Sequence, residues 1–166
     1  MHLRKLKTYD AQFMLEWMHD DSVVHYMRAN FAAKQIDDCV NFIKESVYEK
    51  ENVHLAITDD NDEYMGTVSL KNISKEEKNA EFAITIRKKA MGKGFSAFSM
   101  KEIANYARDE LCLKYMYWFV SMENERAVRF YDKNQYQRID YGDLCKLSKI
   151  PVADAKNYIW YIKQFY

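Results

Sequence analysis

The stretch IRKKAMGKGFSAFSMKEIANYA, Ile86 to Ala107, decides how this chain is read. The sequence holds only four glycines, and two of them, Gly92 and Gly94, stand one residue apart inside it. Cations precede them, and apolar residues at helical spacing (Phe95, Phe98, Ile103, Ala107, Leu111) follow. A strand, a glycine loop and a helix start gather free main-chain N–H groups in one small volume, and the helix dipole adds positive charge there. Glycine lets the backbone approach a ligand where a Cβ would collide. Arg87, Lys88, Lys89 and Lys93 are candidate partners for phosphate oxygens. The stretch reads as a site for a pyrophosphate-bearing ligand, with a solvated glycine turn as the alternative. A P-loop is excluded because no glycine stands five residues before Gly92, and a GxGxxG fingerprint fails because position 97 is Ala.

Outward from this stretch the pattern is that of one mixed domain. LRKL is a short strand, and YDAQFMLEWMHD is a helix with Thr8 as N-cap. SVVHYM is a second, short helix, and IDDCVNFIKESVYEK a third, with Ile36, Val40, Ile43 and Val47 on its stripe. The period then changes. VHLAIT and YMGTVSL form an antiparallel hairpin around DDNDE, and AEFAITI is the strand that enters the glycine loop. After the helix come the continuously apolar strand YMYWFVSM, a helix over NERAVRFYDKNQ capped by Asn124, and the strands YQRIDY and NYIWYIKQF. The expected fold is a single α/β (α+β) domain over residues 1–166, with a mixed, mostly antiparallel sheet and helices on both faces.

Twenty-five basic and twenty-five acidic residues cancel, so no global field favours nucleic acid or an anionic membrane, and any anion site is local. No apolar run reaches the length of a membrane helix. Cys39, Cys112 and Cys145 are odd in number and lack a CxxC pair, which reads as free thiols in a cytoplasmic protein. No His/Cys/Asp/Glu spacing suggests a metal, and no GxSxG or Cys–His pattern suggests an acyl-enzyme.

Thirty residues after the glycine loop stands NERAVRFYDKNQY, Asn124 to Tyr136. Together the two stretches resemble the GNAT family of acetyl-CoA-dependent N-acetyltransferases. The family's phosphate loop, Q/R-x-x-G-x-G/A, is matched by Lys89-Ala90-Met91-Gly92-Lys93-Gly94, with Lys89 in place of Gln or Arg. The later motif, N-x-x-A-x-x-hydrophobic-Y-x-K-x-G-F, is matched by Asn124, Ala127, Phe130, Tyr131 and Lys133, with Gln135 where glycine is usual and Tyr136 where Phe is usual. MLEWMHDDSVVHYM and GTVSLKNI…AEFAITI look most like the branch with ribosomal-protein N-terminal and nucleotide-amino-sugar acetyltransferases.

The resemblance implies acetyl-CoA as co-substrate and direct attack by an amine in a ternary complex. It implies that Ala83, Ile84, Thr85 and Ile86 bind the pantetheine arm and that the amides of Met91, Gly92, Lys93, Gly94, Phe95 and Ser96 hold the pyrophosphate. Lys89, Asn124, Phe130 and Lys133 complete the cofactor set, with Asn124 at the pantetheine end. Tyr131 is the expected general acid toward the departing thiolate, although most of the thirteen tyrosines must be packing residues. Glu81, beside Phe82 and Ala83, is the first candidate base, with its pKa raised by partial desolvation; the alternative is an ordinary strand-end carboxylate. His54 is the second candidate. Tyr26, Arg28 and His54 are expected at the acceptor, and Trp17 in the core. The expected acceptor is a small molecule, an amino sugar or nucleotide-amino sugar. The alternatives are a protein N-terminus or a catalytically silent CoA-binding module. A homodimer is a further expectation.

Overall fold

The computed structural model describes residues 1–147 and 155–166, so Pro151 lies outside the described residues. The elements follow the order β1 (His2–Lys5), α1 (Ala11–Met18), α2 (Asp21–Val24), α3 (Ile36–Ser46), β2 (Val53–Thr58), β3 (Tyr64–Ser74), β4 (Asn79–Ile86), α4 (Phe95–Asp109), β5 (Tyr115–Ser121), α5 (Glu125–Lys133), β6 (Gln137–Ile139), α6 (Tyr141–Leu147) and β7 (Tyr158–Gln164). The strands form one sheet in the order β1-β2-β3-β4-β5-β7-β6. Only β4 and β5 run parallel; the other neighbours are antiparallel. The mixed sheet expected from the sequence is therefore present.

Alternation along the strands sorts side chains onto the two faces. Val68, Leu70, Phe82, Met116 and Trp118 point to one face and share a core with Phe95, Ile103 and Ala107 of α4 and Tyr131 of α5. Ala56 and Tyr64 point to the other, where Met14 and Trp17 of α1 and Cys39 and Ile43 of α3 cover them. Trp17 is a core residue, its indole N–H donating to the Tyr64 hydroxyl at 3.1 Å. β5 is buried on both faces because Tyr115 and Tyr117 meet Leu144 of α6 on the side away from α5.

Three local expectations are corrected. Thr8 opens a 3-10 turn rather than capping α1; the Asp10 carboxylate instead accepts from the Lys7 N–H at 2.8 Å. The buried stripe of α3 runs through Cys39 and Ile43, while Ile36 and Val47 are exposed. The helix α6 was not expected, and its only buried residue is Leu144.

Two residues after α5 the chain keeps the turn that a glycine would make. Gln135 has φ 57°, and its N–H donates to Asp132 O at 2.9 Å. An L side chain in this region costs about 1–2 kcal/mol. Gln135→Gly is therefore expected to stabilise the fold by about 1 kcal/mol after glycine's own entropy cost. Thermal unfolding reads this as a raised Tm; an unchanged or lowered Tm contradicts it.

Candidate active site

The site is built on the way β4 leaves β5. The parallel pairing runs only from Asn79–Tyr115 to Glu81–Tyr117 and then stops. On its other edge β4 stays paired with β3 to Ile86. The two central strands thus splay into a V, and a cleft of about 370 Å³ opens between residues 82–85 of one and 118–121 of the other.

Main-chain directions in that opening follow from the register. The Arg87 N–H donates to Met65 O at 2.9 Å, so odd-numbered residues of β4 aim their N–H and C=O at β3. The Lys114 N–H donates to Lys78 O at 2.6 Å, so even-numbered residues aim at β5. The Phe82 N–H closes the last ladder position, opposite Tyr117 O; beyond it no strand meets the even set, and the Phe82 C=O and the Ile84 N–H and C=O face the cleft.

The cleft collects Tyr26, Arg28, Glu81, Ala83, Ile84, Thr85, Asn124 and Tyr131 from four separate parts of the chain. Asn124 caps α5, its side-chain oxygen accepting from the Ala127 N–H at 3.2 Å, which leaves its amide hydrogens for a ligand. Arg28 reaches across from the segment after α2, its guanidinium 6.0 Å from the ring centres of both Phe119 and Tyr158. Tyr26 stands edge-on to His25 at 4.7 Å.

Tyr131 is 6% exposed, packed among Phe130, Trp118 and Tyr161 with ring centres 5.1 to 5.3 Å away. Among the described residues its hydroxyl has no hydrogen-bond partner. Burial pushes its phenol well above the ordinary value, so it stays protonated at neutral pH. Trp118 also lines the cleft, and its buried indole N–H is without a partner among the described residues. Trp118 was not legible as a site residue because a Trp in a continuously apolar strand signals only packing. Two unpartnered donors and the open amides of β4 are what a ligand with acceptor oxygens along its length requires.

The glycine loop lies beyond the end of β4. Gly92 and Gly94 have φ of 75° and 88°. A Cβ built on Gly92 would meet nothing within 4 Å, so the loop is open at that position. The N–H groups of Phe95, Ser96 and Ala97 start α4 and have no intrahelical partner. Two of the expected amides are engaged, however: the Met91 N–H donates to Lys88 O at 3.2 Å and the Lys93 N–H to Ala90 O at 3.3 Å.

The cations divide as well. Arg87 is 4% exposed and holds Glu16 at 2.6 Å and Glu63 at 2.9 Å, with its guanidinium 4.4 Å from the Phe13 ring centre. Lys89 pairs with Glu63 at 2.7 Å, and Lys88 with Asp20 at 3.9 Å. The Glu63 carboxyl is pulled below its ordinary range by Lys89 and then Arg87. Arg87 is thus taken up within the fold, while Lys88 and Lys89 rest in exposed pairs beside the loop. Lys93 has no ion-pair partner among the described residues. Arg126, from the first turn of α5, lies against the Met91 sulfur and brings a guanidinium to the loop that spacing alone did not reveal.

The remaining expected residues are engaged or stand outside the cleft. Glu81 is no free carboxylate: Lys71 Nζ holds one oxygen at 2.6 Å and the Asn72 amide the other at 3.2 Å. The Ile86 side chain belongs to the core. Phe130 packs against that core, and Lys133 is exposed at the end of α5; neither lines the cleft. His54 lines a neighbouring chamber, not the cleft.

Comparison with known proteins agrees with this architecture. The profile of the acetyltransferase (GNAT) domain matches residues 1–137. Spermidine N(1)-acetyltransferase of Vibrio cholerae serotype O1 is 24% identical over 131 residues, covering 79% of this chain and 75% of that protein. The crystal structure of spermidine N-acetyltransferase from Vibrio cholerae with CoA and spermine superposes with a TM-score of 0.77 at 20% identity, covering 97% of this chain and 92% of the other. A dodecameric structure of spermidine N-acetyltransferase from Vibrio cholerae gives 0.73 at 19% identity, over 98% and 92%. With the family's domain matched over most of the chain and its fold reproduced, this protein belongs to the GNAT acetyltransferases and is an acetyl-CoA-dependent N-acetyltransferase of that type.

Proposed function

We propose that acetyl-CoA lies in the V between β4 and β5 and that this chain moves the acetyl group directly to a small primary amine. The observation that carries the reading is the open β4 main chain, the Phe82 C=O and the Ile84 N–H and C=O, facing a cleft that Tyr131 lines. The co-substrate supplies the thioester. The Ile84 N–H would donate to its carbonyl oxygen as that oxygen gains charge. The amides of Gly92, Gly94, Phe95, Ser96 and Ala97 would hold the diphosphate at the start of α4, with Lys93 and Arg126 beside it. Asn124 would donate its side-chain amide to the pantetheine arm. Tyr131 would give its proton to the sulfur. A free thiol ionises near pH 8.5, far below a buried phenol. The same desolvated cleft raises both values together, which keeps the transfer feasible.

For the acceptor we propose an aliphatic amine of the polyamine class, in place of an amino sugar. The similar Vibrio protein is named for spermidine. The cleft lacks the several cations that a nucleotide-linked sugar would call for: Lys71 is taken by Glu81, leaving Arg28. In an acetyl-CoA consumption screen, spermidine, spermine or another alkylamine is expected to react faster than glucosamine, an aminoglycoside or an N-terminal peptide. A faster amino sugar or peptide overturns this acceptor. Self-association belongs to the same proposal, supported by the dodecamer described for the Vibrio enzyme, and cytoplasmic residence follows from the expected use of acetyl-CoA there.

A further inference from the structure

A second space adjoins the first. Residues 83–85 and Phe31 wall both the cleft and a chamber of about 260 Å³ on the α1/α3 side of the sheet. The other walls of this chamber are rings and sulfurs, among them Trp17, Phe42, Met14 and Cys39. Lys34 and Asp38 stand in it as a pair 3.8 Å apart. Its polar base is one row across three strands, His54 on β2 opposite Ser69 on β3, and Ser69 opposite Ala83 on β4.

That row is hydrogen-bonded in an order that moves protons. His54 Nδ1 lies 2.7 Å from Ser69 Oγ, and His54 Nε2 lies 3.3 Å from Glu49 Oε2. A carboxylate only accepts, so the Nε2 side carries the hydrogen and Nδ1 accepts from the serine hydroxyl. The imidazole side chain is 9% exposed, with the Phe42 ring edge-on at 4.8 Å.

We infer that the chamber takes the aliphatic body of the amine and that Ser69, backed by His54 and Glu49, removes the ammonium proton before attack. This rests on the acetyl-transfer reading above. The ammonium N–H bond breaks toward Ser69 Oγ while the serine proton passes to His54 Nδ1, and Glu49 steadies the imidazolium. The freed lone pair forms the C–N bond to the acetyl carbon and the C–S bond breaks. The thiolate takes a proton from Tyr131, and the second amine proton restores the phenol. One proton leaves through His54, and the products are the amide and the thiol. Ser69 touches the amine; His54 and Glu49 position and receive. Burial holds His54 below its ordinary pKa, with Glu49 opposing and Lys71 assisting, so the ring is neutral and able to accept at pH 7. The other charged or titratable groups around the chamber are Lys34, Asp38 and Cys39, and Glu81 reaches the row only through Lys71.

The test uses spermidine and a series of n-alkylamines as acceptors, with the full chain and its His54→Gln and Ser69→Ala variants. Coenzyme affinity is followed by calorimetry and kcat/KM from pH 7 to pH 10. Both variants are expected to lose about 10²-fold in kcat/KM at pH 7. The loss should shrink toward pH 10, where a primary amine of pKa near 10.4 supplies its own free base. Coenzyme Kd should stay within about threefold, since neither side chain lines the cleft. Activity within threefold of the parent at pH 7, or a loss of equal size at pH 7 and pH 10, overturns the relay. Should His54→Gln fail to fold, Ser69→Ala decides alone. Coenzyme binding with no alkylamine acetylated overturns the chamber assignment only, whereas a parent chain that fails to bind coenzyme overturns the acetyl-transfer reading as well.

Discussion

Tyr131→Phe is expected to lower kcat for amine acetylation by about 10²–10⁴-fold, the range for removing a general acid. The substitution deletes one oxygen and keeps the ring that packs against Trp118, Phe130 and Tyr161. The hydroxyl makes no hydrogen bond among the described residues, so its loss leaves no protein group unsatisfied. Folding stability and coenzyme affinity should therefore hold while turnover falls. That split is diagnostic, because a residue that served only packing would move Tm and leave kcat alone. Transfer at the parent rate with phenylalanine at 131 would remove the phenol from the chemistry.

Gly94→Val should act on binding rather than turnover. The residue sits at φ 88°, a conformation that a β-branched side chain adopts at a cost of about 1–2 kcal/mol or more. It also stands directly before Phe95, where the free amides of α4 begin. Tilting those amides away from the diphosphate forfeits hydrogen bonds to charged oxygens worth about 1.5–3 kcal/mol each. Two such bonds lost correspond to a Kd for acetyl-CoA raised by about 10²–10⁴-fold. Calorimetry measures it directly, and a Kd within a few-fold of the parent would show that the loop does not carry the phosphates.

Much of this was legible in the chain before any coordinates. Period and turn chemistry located every strand among the described residues, and the paired glycines marked the two left-handed positions at 92 and 94. The cations beside the loop have partners that spacing does not show. A lysine or arginine beside a glycine loop looks free in sequence, yet Arg87 and Lys89 find Glu16 and Glu63, residues distant along the chain that strand pairing brings near. The same holds for Glu81: its partner Lys71 faces it only through the β3–β4 register. Trp118 and Arg126 escaped because each is ordinary alone, and His54 stood among the candidates while its partners Ser69 and Glu49 meet it only through packing. The turn at Gln135 is the opposite case, where the sequence departs from the family pattern and the backbone makes the turn regardless.

The most direct measurement of the whole account is a crystal structure of this chain with coenzyme A. The diphosphate is expected within hydrogen-bonding distance of the amides from Gly94 to Ala97, the pantetheine paired with the open edge of β4, and the sulfur beside the Tyr131 hydroxyl. Coenzyme bound outside the V, or a V closed by side chains with the loop amides turned away, would contradict it.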